Sequence, residues 1–313
     1  MKIGVVGAGY FGKNHIREYV NSGNEVIVCD LKQENLNEIK EKFKVKKTTK
    51  DMQELLNDSE LEAVSICTQN SVHYEIAKKF LEKGKHVLLE KPMTLDSSEA
   101  EELVELAEKN NCVLSIGHIF RYNAGLRKLK ELISEKELGE VFLARLVWTN
   151  LNPPFEDNRD IYFDLGPHAL DIIYFILGNL PDEISCRGVP SRDKADQDET
   201  TFINCRAGKT LINIDLSWVT PEKKRTVFVV GSKNSALIDC MTQQITLINN
   251  ADMSEKNVFV QASNPLIEEI SDFLNAVKEN RKTVSEGKIG AEIVKLIELC
   301  HKSVKEQKTV FLG

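Results

Sequence analysis

The chain has no disulfide or zinc framework. Its seven cysteines, at positions 29, 67, 112, 186, 205, 240 and 300, are scattered. They form no C-x-x-C pair and no zinc spacing, the pattern of free thiols in a reducing compartment, and no metal is expected. It also lacks an excess of positive charge. The 41 Lys and Arg against 48 Asp and Glu leave −7, which argues against nucleic acid or an anionic membrane as the partner. No apolar run reaches the ~18 residues of a membrane span; the richest stretch, Leu170 to Leu180, carries Asp171 and Gly178. Met1-Lys2-Ile3-Gly4 runs straight into a strand pattern without signal-peptide architecture, so a cytoplasmic location is expected. Methionine and the aromatics are sparse and read as core. What is present is an ordinary globular composition, 42% hydrophobic and 28% charged, which excludes a disordered or fibrous chain. At roughly 150 residues per domain the length corresponds to two domains or one large one.

The first third alternates short apolar strands (3–6, 25–29, 63–67, 86–90 and 113–117) with helical patterns to about residue 22 and near 71–83 and 97–110. Strands that are apolar without alternation, separated by helices, predict βαβ units and a parallel sheet buried on both faces. After about residue 120 the period changes. A helix near 124–136 leads to a strand at 141–149, a short helix starts at Pro167, and strand-like segments follow at 182–188, 199–206, 210–218, 225–231, 235–240, 244–249 and 256–260. In Thr210–Trp218, Ile212, Ile214, Leu216 and Trp218 point one way and Asn213, Asp215 and Ser217 the other. That alternation predicts a sheet with one buried face, antiparallel or mixed. Helices near 265–280 and 290–306 close the chain. The expected organisation is α/β, with residues 1–120 a doubly wound domain and 121–313 an α+β domain for substrate binding and oligomerisation.

Gly7-Ala8-Gly9-Tyr10-Phe11-Gly12 is a G-x-G-x-x-G set between a strand and a helix. The first glycine makes the turn, the second lets backbone approach a pyrophosphate, and the third lets helix pack on strand. A turn whose glycines serve packing alone is the alternative. Asp30 ends the second strand 21 residues after Gly9, the spacing of the carboxylate that accepts the ribose hydroxyls. An acid there favours NAD over NADP, and the nearby Lys32 keeps NADP open.

A second constellation carries chemistry. Lys91 ends the strand at 86–90 and is followed by Pro92, at the sheet edge that faces ligand in an open parallel sheet. In Asp164-Leu165-Gly166-Pro167-His168-Ala169-Leu170-Asp171, Pro167 suits the first turn of a helix and Gly178 its C′ position. His168 then lies where the positive dipole end favours a neutral imidazole, as a general base requires. Asp164 is placed to orient its ring, and Asp171 shares its helix face. A surface lysine and a helix start with a satisfied histidine are the bland alternatives. With the dinucleotide fingerprint, these residues describe alcohol oxidation, His168 taking the hydroxyl proton and Lys91 stabilising charge on the reacting oxygen.

These motifs, with SICTQNSVHYEIAKKFLEKGKHVLLEKP at 65–92, GHIFRYN at 117–123 and INIDLSW at 212–218, resemble the glucose–fructose oxidoreductase/inositol dehydrogenase (Gfo/Idh/MocA) family over nearly the whole length. The resemblance implies an N-terminal Rossmann domain and a C-terminal α+β domain with a large open mixed or antiparallel sheet, commonly an oligomer interface. It implies Lys91, Asp164 and His168 in the catalytic positions. Thr68, Asn70, His73 and Glu90 are implied near the cofactor, joining Gly7, Gly9, Tyr10, Phe11, Gly12, Asp30, Leu31 and Lys91. The G-H-x-x-R-x-N run looks like the nucleotide-sugar branch, and the run from Asp160 to His168 is similar to UDP-N-acetylglucosamine 3-dehydrogenases. Oxidation of the C3 hydroxyl of UDP-GlcNAc is therefore implied, with Lys91, Arg121, Asn123, Asp164, His168 and Asp171 at the substrate. For Arg121 a structural ion pair is the alternative. A dehydrogenase of inositol or another free sugar, or of the uronate of UDP-GlcNAc, is the nearest competitor. A non-catalytic dinucleotide sensor is the competitor of another class. His15 and His301 are read as surface or packing residues, and a homo-oligomer, dimer or tetramer, is expected.

Overall fold

In the computed structural model, which describes residues 1–151, 160–191 and 197–312, the chain begins β1 (Lys2–Val6), α1 (Tyr10–Asn21), β2 (Glu25–Cys29), α2 (Gln33–Lys42), β3 (Lys47–Thr49), α3 (Met52–Leu56), β4 (Ala63–Ile66), α4 (His73–Glu82), β5 (His86–Leu89), α5 (Ser97–Lys109) and β6 (Leu114–Ile116). It continues α6 (Ala124–Ser134), β7 (Val141–Leu151), α7 (Ile161–Asp164), α8 (Gly166–Leu177), β8 (Glu183–Val189), β9 (Thr200–Ala207), β10 (Thr210–Ser217), β11 (Val219–Gly231), β12 (Asn234–Asp239), β13 (Gln244–Asn249), β14 (Glu255–Val258), α9 (Pro265–Glu279), α10 (Gly287–Glu306) and β15 (Val310–Phe311).

The chain divides into two compact units, Met1–His118 with Leu266–Val294, and Ile119–Pro265 with Lys295–Gly313. The first holds a six-stranded sheet in the order β3-β2-β1-β4-β5-β6, every pair parallel. This is the doubly wound order, in which ligands bind where the strand order reverses, between β1 and β4. The continuous apolar runs are buried as expected: Val6, Ile66, Leu89, Phe80 and Leu103 share one core. Each such side chain contributes about 1.5–3 kcal/mol on leaving water. The sequence boundary near 120 is thus only one of three crossings between the units. Leu266–Val294 returns to the first unit because Ile116 N–H donates to the Ser285 carbonyl, Ser115 bridges Glu286, and Val294 joins that core.

The second unit holds a nine-stranded mixed sheet, β14-β13-β12-β11-β7-β10-β9-β8-β15. β10 runs parallel to β7 and antiparallel to β9. Ile212, Ile214, Leu216 and Trp218 are buried as the alternation predicts, and α8 packs on β7 and on α6. Ser217 departs from the expected outward set. It is buried because its Oγ accepts the Val219 N–H and the Thr220 hydroxyl at the crossing into β11. On the other face Phe202, Leu211 and Leu237 are exposed.

Candidate active site

Three loops at the C-terminal edge of the first sheet carry the expected cofactor residues. β1 ends in the glycine turn, β4 runs into Cys67 and Thr68, and β5 into Glu90 and Lys91. Gly7 has φ +92° and a Cβ there would lie 2.5 Å from the Cys67 carbonyl oxygen; a Cβ on Gly12 would lie 1.9 Å from that of Gly7. Neither position admits a side chain, so helix and strand meet at backbone distance. Gly9, the N-cap of α1, has open space where its Cβ would be, room for a phosphate against the helix N-terminus. Asp30 holds the turn from the side. Its Oδ2 accepts the Ala8 N–H at 2.7 Å and the Asn35 amide at 3.1 Å, and its Oδ1 accepts the Lys32 N–H at 2.7 Å. Carboxylate oxygens accept two bonds each, so Oδ1 keeps capacity for a ribose hydroxyl.

Thr68 supplies the sharpest sign of a missing partner. Its buried hydroxyl oxygen has no hydrogen-bond partner among the described residues, a state that costs about 1–3 kcal/mol unless a ligand completes it. Tyr10 and Leu31 beside the turn are 85% and 83% exposed, apolar surface that a bound nucleotide would cover. Asn70 lies in an exposed 3-10 turn. His73 is buried, its Nδ1 2.8 Å from the Pro92 carbonyl oxygen and its Nε2 3.2 Å from that of Thr68. It therefore ties the loop after β4 to the one after β5 rather than displaying its ring, and burial lowers its pKa. These residues fit NAD.

In the second unit His168 sits in the first turn of α8, with Pro167 beside it and Gly178 closing the helix at φ +77°. Its ring stacks on Trp148 at 6.0 Å and meets the Phe120 edge at 5.3 Å. Arg225 lies over the Trp148 ring at 4.7 Å, donating to the Thr149 carbonyl at 2.7 Å and to Asn150 Oδ1 at 2.6 Å. Burial pushes the Arg225 guanidinium down to about 10, against the opposing pull of the Asp164 carboxylate. Phe120, Trp148 and Arg225 were not singled out in the sequence; only the fold brings them to the histidine.

Arg121, Asn123 and Asp171, expected at the substrate, each have partners within the chain. Arg121 Nε donates to Asp171 Oδ1 at 2.6 Å, with side chains 7% and 1% exposed, and the guanidinium lies over the Tyr174 and Phe175 rings. This is the structural ion pair weighed for Arg121. Asn123 is buried and caps α6, its Oδ1 accepting the Leu126 N–H at 3.1 Å and its Nδ2 donating to the Cys240 carbonyl at 2.9 Å. An Asn directly before a helical pattern is a cap signal, and that signal was in the sequence.

His15 and Glu90 are brought together instead. The histidine, read as surface or packing, is fully buried with Nε2 3.0 Å from Glu90 Oε1. His301, read likewise, pairs with Asp160 at 2.6 Å. All seven cysteines are free, and among the described residues no helix is long and apolar enough to cross a membrane.

Residues 1–118 match a family model described as oxidoreductase family, NAD-binding Rossmann fold, and residues 126–237 match the GFO/IDH/MocA C-terminal domain. The chain is 27% identical to UDP-N-acetylglucosamine 3-dehydrogenase of Acidithiobacillus ferrooxidans, over 94% of both chains. It is 25% identical to myo-inositol 2-dehydrogenase of Thermotoga maritima, over 100% of this chain and 98% of that one. A crystal form of the A. ferrooxidans protein superposes with a TM-score of 0.88 at 25% identity, covering 98% of both.

Proposed function

The chain belongs to the Gfo/Idh/MocA family of NAD-binding sugar oxidoreductases, and on that footing we propose that it oxidises the C3 hydroxyl of UDP-N-acetylglucosamine to the 3-keto sugar. The observation that carries the reading is the cradle at the β1/β4 switch point, with the orphaned Thr68 hydroxyl and the side-chain-free glycine turn directly beside the strand that ends in Glu90-Lys91. The likeness to the A. ferrooxidans enzyme and the run from Asp160 to His168 support the nucleotide sugar.

Gly7, Gly9 and Gly12 receive the pyrophosphate, Asp30 the ribose, and Thr68 completes its hydrogen bonding on the nucleotide. Bound NAD supplies the hydride acceptor. Lys91 donates to the reacting oxygen, stabilising the negative charge that grows as the O–H bond breaks. His168 takes the hydroxyl proton; a positioned base contributes about 10²–10⁴-fold. Trp148 and Phe120 fix the imidazole plane, and Asp164 orients it. The exposed Phe202, Leu211 and Leu237 on the open sheet support assembly into a homo-oligomer through that face.

The likeness to myo-inositol 2-dehydrogenase favours a second reading, oxidation of a free cyclitol. NADH formation on UDP-GlcNAc, myo-inositol and glucose, with the product mass determined, separates the two. UDP-GlcNAc is expected to be consumed with loss of two mass units; turnover of the unactivated polyols alone overturns the assignment.

A further inference from the structure

We propose that His15 is a positioning residue for Lys91, acting through a directional chain of buried hydrogen bonds from α1 to the end of β5. The inference rests on the reading of Lys91 given above. α1 sets Phe11, His15 and Tyr19 at i, i+4 and i+8, one face of the helix, with successive ring centroids 6.0 and 6.3 Å apart. His15 and Tyr19 are fully buried. The Tyr19 hydroxyl lies 2.7 Å from Ser65 Oγ, and Ser65 Oγ lies 3.3 Å from His15 Nδ1. His15 Nε2 lies 3.0 Å from Glu90 Oε1, while Glu90 Oε2 accepts the Lys91 backbone N–H at 3.3 Å.

With a neutral imidazole, one direction satisfies every member. An ionised carboxylate only accepts, so Nε2 carries the hydrogen and Nδ1 becomes the acceptor. Ser65 then donates to Nδ1 and accepts from Tyr19. Burial holds Tyr19 far above the usual phenol range, so the donor at the head of the chain stays protonated. The Glu90 carboxylate packs against Gly117, where a Cβ would lie 2.9 Å from its Oε2, so the glycine leaves the space the carboxylate fills. The Lys91 amide is thus set by Glu90 on one side, while His73 holds the Pro92 carbonyl on the other. Removing His15 strips the buried carboxylate of the donor 3.0 Å from its Oε1, which frees Glu90 to rotate and deprives the Lys91 amide of its anchor. His15, Glu90 and Cys67 offer ligand atoms within 4.8 Å of one another, a set that also suits a divalent cation, but the chain of donors accounts for the His15–Glu90 contact with a proton alone.

His15→Leu and His15→Gln in the full chain with NAD provide the test, read by hydrogen exchange at the Lys91 amide, NAD affinity, and kcat on UDP-GlcNAc. His15→Leu is expected to speed exchange at Lys91 by about tenfold or more. It is also expected to lower kcat by roughly 10–100-fold, the scale of a small misplacement at the chemistry, with NAD affinity retained. His15→Gln keeps an N–H in reach of Glu90 and is expected to restore both. Unchanged exchange at Lys91 in His15→Leu overturns the inference whatever the substrate. So do equal losses in the two variants, and so does stoichiometric zinc in the purified protein. Exchange that follows His15 in a protein inert toward UDP-GlcNAc supports the positioning role and sinks the substrate assignment alone.

Discussion

Arg121 and Asp171 illustrate how a residue's environment decides between two roles that its type leaves open. A guanidinium suits a sugar-nucleotide phosphate or a carboxylate of this chain equally well. The carboxylate is 50 positions away in sequence and 2.6 Å away in space. With both groups nearly sealed from water, removing one leaves an uncompensated buried charge, a loss of about 3–5 kcal/mol. Asp171→Ala is therefore expected to lower the urea midpoint sharply. An unchanged midpoint with a raised KM for the sugar nucleotide would return Arg121 to the substrate. His15 carries the same lesson: its partners Ser65 and Glu90 lie 50 and 75 residues away, so no local pattern marks it.

At the level of elements, features written into short spans of sequence were the legible ones. The glycine turn, Asp30 at the end of β2, Pro167 and Gly178 bracketing α8, and the alternation of β10 depend on neighbours within a turn or a strand. The turn is strict enough for a direct test. Gly12→Ala drives a methyl into the Gly7 carbonyl and is expected to weaken NAD binding at least tenfold, measured by fluorescence titration, with a lowered melting temperature. Gly9→Ala meets no atom of the chain but fills the space assigned to the phosphate, so it is expected to weaken NAD binding with the melting temperature unchanged. Parent-like affinity in both variants would mean that the glycine turn does not set the phosphate site. The charged α2, three-residue β3 and five-residue α3 were not singled out, because short elements rich in Lys and Glu carry little periodicity. The return of Leu266–Val294 to the first unit was also hidden, since the pairing of Ser115 with Glu286 spans 171 positions.

For the whole molecule, the buried His73 and the half-buried His86 contribute to the pH dependence of stability. Burial lowers the pKa of His73 and of His86 below the ordinary value of about 6.5. In the window between the folded and unfolded values the unfolded chain binds more protons, so stability rises with pH and is lost as the pH falls below about 6.5. The melting temperature is expected to drop between pH 7 and 5.5, with His73→Gln flattening part of the slope. A melting temperature that rises on acidification across that range would contradict the burial account.

The central claim is that Lys91 and His168 perform the chemistry on a hydroxyl, and it is tested most directly by steady-state NADH formation from UDP-GlcNAc in Lys91→Ala and His168→Ala beside calorimetric NAD binding. Both variants are expected to bind NAD as the parent does while kcat falls by about 10²-fold or more. Parent-like turnover in both would contradict the claim.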